Sequence, residues 1–248
     1  MSEKYIRYEV ADGIAVITID RPAKRNALTS AMCADLHAAW QTFAASDNVR
    51  VAILTAAGDD VFTAGADLND PPPQFWQGVP NLGVPVSKPI ITAVSGLVIG
   101  AGVPLVAMSD LCIASTSTRF IYPEAKVGVA LGLVSSIVTR IPHKVAMELM
   151  LMGEPVSAER AYQVGLVNRL VAPGEQLSAA REMASILVAN APLVMGMLKD
   201  MALAALPKAG PEAMFHTQRA INRVLQSEDA KEGPRAFLEK RKPTFRGR

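Results

Sequence analysis

Lys88-Pro89-Ile90-Ile91-Thr92-Ala93-Val94-Ser95-Gly96-Leu97-Val98-Ile99-Gly100-Ala101-Gly102-Val103-Pro104-Leu105-Val106-Ala107-Met108-Ser109 is the stretch whose reading decides the fold. Between Pro89 and Ser109 it carries no charge and approaches the length of a membrane span. Its glycines, its prolines and the polar Thr92 and Ser95 break it into shorter pieces. We read a buried strand over residues 90–94, a loop marked by Gly96, Gly100 and Gly102, and a buried helix reaching about Ser109. Proline is tolerated in a first helical turn, where Pro104 falls. A dinucleotide fingerprint G-x-G-x-x-G would need glycine where Leu105 stands, so a Rossmann dehydrogenase is discounted.

Working outward towards the N-terminus, residues 5–10 and 14–19 are β-type runs around Asp12-Gly13, a hairpin signal. A helix is expected from Thr29 or Ser30 to about Ala45, since Met32, Leu36, Ala39, Trp40 and Phe43 recur at helical spacing. Residues 51–56 read as a buried strand and 61–70 as a compact glycine-containing turn. Residues 70–89, rich in proline and glycine without periodicity, read as a loop or mobile lid.

Towards the C-terminus, strands are expected at 111–114 and 119–121. Strand signals then fade. Helices are expected near 144–152, 157–163, 175–190, 192–206, 211–226 and 229–240. Ser157 is a good N-cap, and Ala191-Pro192 marks a helix boundary. Strands alternating with helices, then helices alone, give an α/β core followed by a helical region.

The 248 residues are half hydrophobic, with a formal net charge of +2, which suits a large buried core and not a nucleic-acid binder. Aromatic residues make up only 5%, too few for base-stacking platforms. Two cysteines, Cys33 and Cys112, build no disulfide framework and favour a reduced, cytoplasmic setting. Met1-Ser2-Glu3-Lys4-Tyr5 does not read as a signal peptide, and no membrane association is expected.

Three segments carry possible chemistry. Val61-Phe62-Thr63-Ala64-Gly65-Ala66-Asp67-Leu68 follows a strand, and its small residues let the backbone approach a ligand closely. Alone, it reads as a tight turn. The second is the glycine loop at 96–102, leading into a helix whose first N–H groups are unpaired. The third, Phe120-Ile121-Tyr122-Pro123-Glu124, sets a lone carboxyl among apolar neighbours. Most such glutamates are surface turn residues, but one in an apolar cleft would move protons near neutral pH.

In this order the three segments resemble the enoyl-CoA hydratase/isomerase (crotonase) family, over nearly the whole chain. Arg21-Pro22-Ala23-Lys24-Arg25-Asn26-Ala27-Leu28 is similar to the family's first CoA-contacting loop, and Ala64-Gly65-Ala66-Asp67-Leu68 to its first oxyanion-hole loop. Lys88 to Gly96 matches the strand leading to the second. Gly153-Glu154-Pro155-Val156-Ser157-Ala158, Gly165-Leu166-Val167-Asn168 and Phe237-Leu238-Glu239-Lys240-Arg241-Lys242-Pro243 match later landmarks.

The resemblance implies a spiral of ββα units over residues 1–190 and a helical trimerisation region over 191–248, assembled as a homotrimer or a dimer of trimers. It implies an acyl-CoA substrate, coenzyme A entering as part of that substrate, with no separate cofactor or metal. CoA would lie across Lys24, Arg25, Ala64, Asp67 and Leu68. The amides of Ala66 and Ala101 would hold the thioester oxygen, the second with alanine where the family usually has glycine.

The departures are informative. Where hydratases of the family place their first glutamate, this chain has Pro104, which has no titratable proton. The second glutamate matches Glu124. The segment Gly128-Val129-Ala130-Leu131-Gly132-Leu133-Val134-Ser135-Ser136 is altered and slightly shortened. One glutamate with two oxyanion amides suits a one-base shuttle, so a Δ3-Δ2 enoyl-CoA isomerase is expected first. The alternatives are a hydratase using one glutamate, a different reaction of the family such as thioester or carbon–carbon bond hydrolysis, and a degenerate CoA-thioester binder.

A serine hydrolase would need a G-x-S-x-G elbow, which is missing, and His37, His143 and His216 have no zinc spacing. The basic stretch 231–248 reads chiefly as a solvated face, with a few charges meeting CoA phosphates. Met108 or Met152 is a candidate for lining an adaptable acyl pocket. Residues 70–89 and 131–139 are expected to shape that pocket.

Overall fold

The computed structural model describes residues 4–128, 137–206 and 224–246. Its chain opens with the expected hairpin. β1 (Ile6–Ala11) and β2 (Ile14–Ile19) pair antiparallel around Asp12 and Gly13, both at positive φ as a tight right-twisted hairpin requires.

After the hairpin the chain alternates between two sheets. β3 (Val51–Ala56), β5 (Ile90–Val94) and β7 (Leu111–Ser115) extend the hairpin sheet in parallel, and β10 (Arg169–Val171) ends it, in the order β1-β2-β3-β5-β7-β10. β4 (Val61–Thr63), β6 (Leu97–Ile99) and β8 (Arg119–Ile121) run parallel in a second sheet, bordered by antiparallel β9 (Val156–Ser157), in the order β4-β6-β8-β9. Successive pairs β3/β4, β5/β6 and β7/β8 therefore each put one strand in each sheet, one position further along. That is the expected spiral.

Eight helices are described. They are α1 (Ser30–Ala45), α2 (Gly102–Ala107), α3 (Glu124–Val127), α4 (His143–Met152), α5 (Ala158–Gln163), α6 (Gln176–Ala189), α7 (Pro192–Ala205) and α8 (Glu228–Leu238). Side-chain caps start three of them: Thr29 accepts from the Met32 amide, Ser157 from Arg160 and Ser227 from Ala230.

The large sheet is covered on both faces, which is why β2 and β5 are buried throughout and apolar apart from Thr18 and Thr92. On one face Trp40 and Phe43 of α1 join Phe62, Phe120 and the interior of both sheets. On the other, Ala179, Ala180 and Ala184 of α6 pack closely against Val16, Ile53, Ile91 and Ile113. α7 is tied to the sheet by Lys199, whose ammonium donates to the Asp110 carboxylate and the Lys88 carbonyl, each at 2.7 Å.

Some expectations change. Residues 70–89 are not a loose lid: a 3₁₀ turn at Phe75–Gly78 lies against α1, Phe75, Val79 and Val86 are buried, and the Trp40 indole donates to the Gly78 carbonyl at 2.8 Å. β4, β6, β9 and β10 were not expected, because strands of two or three residues leave no readable alternation. The helix expected to reach Ser109 ends at Ala107, and the Ser109 hydroxyl turns back to the Leu105 carbonyl. The helix expected at 211–226 and the acyl-pocket region at 131–139 fall largely outside the described residues. The charge-free stretch is distributed over β5, β6 and α2. No single helix among the described residues is long and apolar enough to cross a membrane.

Candidate active site

β4, β6 and β8 are parallel neighbours, so their carboxyl ends leave the small sheet at one edge. Each is followed by one of the three segments singled out in the sequence. Ala64, Gly65 and Ala66 follow β4. Gly100 and Ala101 follow β6 and lead into α2. Tyr122 and Pro123 follow β8 and lead into α3, whose first residue is Glu124. Open α/β sheets gather ligand-binding groups at such edges.

The first two segments touch. Gly65, at φ 92°, would place a Cβ only 3.1 Å from the Ile99 carbonyl oxygen and 3.4 Å from the Ala101 nitrogen. A side chain would be strained in conformation and in space, so glycine lets the Ala66 and Ala101 loops meet. Leu28 bridges Ala66 in parallel fashion: its amide donates to the Gly65 carbonyl and its carbonyl accepts from Asp67, both at 2.8 Å. The N–H of Ala66 is turned away from that ladder. Among the described residues neither the Ala66 nor the Ala101 amide has a protein acceptor, although Ala101 is only 2% exposed. Buried amides are paired in nearly all proteins, so the Ala101 amide is the one whose missing acceptor points to a ligand; the Ala66 amide, partly exposed on the touching loop, is free to join it.

The third segment is joined to the second. The Gly100 amide donates to the Ile121 carbonyl at 2.8 Å, next to Tyr122 and three residues before Glu124. Glu124 is partly buried at the start of α3. Pro104 sits fully inside α2, all of whose residues are buried.

Lys24 and Arg25 are exposed on the adjacent loop, and the Arg25 carbonyl accepts from the Ala64 amide at 2.9 Å. Clefts of about 400 Å³ and 430 Å³ flank this loop. One is lined by Arg25, Asn26, Gly58 and Leu97, the other by Lys4, Tyr5, Arg21 and Lys24. Asp67 faces inward: its carboxylate accepts from the Arg21 guanidinium at 2.7 Å. That bond, with help from the Asn69 amide, holds its carboxyl below the usual carboxylate range. Leu68 is 44% exposed.

Four residues of this edge were not singled out from sequence. Asn26 is 1% exposed; its amide group donates to the Ala57 and Val61 carbonyls and its oxygen accepts from the Arg21 amide. Thr63 donates to the Asn26 carbonyl at 2.7 Å and accepts from the Gly65 amide at 3.1 Å. Arg21 completes the set from the other side. Tyr122 is 2% exposed, beside Glu124 in sequence and space. Asn26 stands at positive φ, a conformation asparagine tolerates, but that feature belongs to the fold and is not readable from the sequence. His37 and the cysteines play no part: the His37 Nδ1 lies 3.1 Å from the Gln77 carbonyl, and burial pushes the Cys33 and Cys112 thiols up to about 12.

The sequence profile of the enoyl-CoA hydratase/isomerase family matches residues 9–248. The chain belongs to this family. Among crotonases it is 34% identical to an (E)-benzylidenesuccinyl-CoA hydratase of Thauera aromatica, over 98% of this chain and 99% of that one. It is also 34% identical to a carnitinyl-CoA dehydratase of Salmonella typhi, over 95% of each chain. A carnitinyl-CoA dehydratase structure from Mycobacterium avium 104 superposes with a TM-score of 0.89, at 37% identity over 99% of this chain and all of that one. A methylmalonyl-CoA decarboxylase with bound 2-nitronate-propionyl-CoA gives 0.87, at 28% identity over the full length of both. The crotonase fold and the CoA-thioester class of chemistry follow from these matches together with the strand-edge geometry.

Proposed function

We propose that this crotonase moves a proton at C2 of an enoyl-CoA through an enolate, as a Δ3-Δ2 isomerase with Glu124 as its single base. The observation that carries the reading is that Glu124 opens α3 at the β4-β6-β8 edge while Pro104 occupies the other family position, buried in α2. One position can titrate; the other has no side-chain proton.

The thioester oxygen accepts from the Ala66 and Ala101 amides. Glu124 takes a proton from C2, and the C2–H electron pair moves into the thioester as a dienolate. Charge then resides on the oxygen facing the two donors. Donors already in place stabilise it without reorganising, and losing one typically costs roughly 3–4 kcal/mol of barrier stabilisation. Glu124 returns the proton at C4, leaving the double bond between C2 and C3. Coenzyme A enters with the substrate, held beside Lys24 and Arg25, and no other cofactor takes part. Leu193, Met197 and Met201 stay 88%, 52% and 63% exposed on α7, which supports assembly as a homotrimer or dimer of trimers.

A second reading is hydration or dehydration with Glu124 serving C2 and water held elsewhere. The names of the hydratase and dehydratase relatives favour it. Following the conjugated thioester's ultraviolet absorbance separates the two. Isomerisation of 3-enoyl-CoA raises it, and hydration of 2-enoyl-CoA lowers it. Brisk loss from 2-enoyl-CoA without gain from 3-enoyl-CoA would replace the first reading by the second.

A further inference from the structure

We infer that Tyr122 is a positioning residue for the acid–base group, its phenol serving as the hydrogen-bond donor that aligns the Glu124 carboxylate when substrate docks. The inference rests on the reading of Glu124 as the base.

The phenol hydroxyl is buried, and among the described residues the group that meets it is the Glu124 carboxyl, by charge and by a side-chain hydrogen bond looser than ordinary geometry. Such a group costs stability unless something uses it. Its side chain shares the buried core with Phe120, the next residue facing the same way along the strand. Two residues on, Glu124 begins α3, and Pro123 between them restricts the backbone. The Gly100–Ile121 hydrogen bond fixes the other end of this segment to the Ala101 loop. The phenol and the carboxyl are thus joined by a short connection that Pro123 restricts. Catalytic hydrogen bonds are often long before substrate arrives and tighten in the complex.

Burial, then the Glu124 charge and the side-chain hydrogen bond to Glu124, push the Tyr122 phenol above its ordinary range, so it stays a donor. Other charges at this corner are accounted for. Lys126 of α3 pairs with Glu154, from the turn after α4, at 2.6 Å, and both are largely exposed. From α8, the Asp229 carbonyl lies against Gly128 and its carboxylate accepts from the Arg246 amide. α2 contributes no ionisable side chain.

The test is Tyr122→Phe, with Glu124 followed by infrared titration of its carboxyl band, assigned by difference from Glu124→Gln. A donor to the charged form lowers a carboxyl's midpoint, so its removal is expected to move the midpoint to higher pH, whether or not enoyl-CoA is turned over. With substrate, kcat is expected to fall roughly 10-fold to 100-fold at unchanged KM, the scale of a misplaced catalytic group. Tyr122→Met, which fills the space without a donor, is expected to behave alike. An unmoved midpoint and unchanged kcat, with a gain in thermal stability, would make the hydroxyl a structural defect only and overturn the inference. A shifted midpoint in an enzyme that turns over neither enoyl-CoA would uphold the inference and fault the assigned reaction instead.

Discussion

Gly100 donates its amide to the carbonyl of Ile121 at 2.8 Å, and this one bond joins the loop bearing the Ala101 amide to the strand that delivers Glu124. The proposed oxyanion donor and the proposed base are thereby set by one sheet edge, β4-β6-β8. Loop conformation alone would set them less firmly. Rigid elements hold catalytic groups within a few tenths of an ångström more readily than loops do.

Thr63 is the residue on which the first loop hangs. Thr63→Val removes its bond to the Asn26 carbonyl and leaves the buried Gly65 amide without its acceptor. We expect a loss of about 1–3 kcal/mol in stability. Because Gly65 adjoins Ala66, kcat should fall more than KM rises. Urea denaturation and steady-state kinetics check the two parts, and unchanged kcat would detach Thr63 from the oxyanion loop.

The Arg21–Asp67 pair predicts an acid-dependent stability. The Asp67 carboxyl is held below its ordinary value chiefly by the Arg21 hydrogen bond. Its contribution is therefore complete above the unfolded value, about 3.9, and is lost as pH falls through the lower folded value. Asp67→Asn should be clearly less stable than wild type at pH 7, and the gap should close at lower pH. Thermal melts across that range measure it; a gap that does not change with pH would contradict the assignment.

How far the sequence reaches can be judged from particular residues. The strands at Val51–Ala56 and Ile90–Val94 were legible to the residue, because long buried apolar runs bounded by turn residues have few other readings. β4 and β6 were hidden by their length, yet with β8 they create the site edge. Glu124, Ala66 and Ala101 were singled out by resemblance to known loops, and the structure brings their three segments to one edge. Asn26, Thr63 and Arg21 were not, since their work is done through contacts between segments far apart in sequence. Residues 70–89 form the irregular loop that their proline and glycine content signals, but such content does not imply mobility, and buried Phe75 and Val79 anchor the loop.

Pro104 is expected to do no chemistry. Pro104→Ala keeps α2 buried and helical, and should leave isomerisation near the wild-type rate. A large loss in kcat with the fold intact, shown by circular dichroism, would mean that this position shapes the acyl site.

Gly233 of α8 lies against the end of α3, the helix that Glu124 opens. A Cβ there would overlap the Val127 carbonyl, so Gly233→Ala must push α8 and α3 apart. A lower kcat and lower melting temperature are expected together. Normal kcat in a folded variant would show that Glu124 is positioned without help from α8.

The account stands most directly on the rate at which Glu124→Gln turns over saturating 3-enoyl-CoA. Glutamine keeps the shape and loses the transferable proton. The predicted result is a loss on the order of 10²–10⁴-fold. A rate near that of the wild type would contradict it.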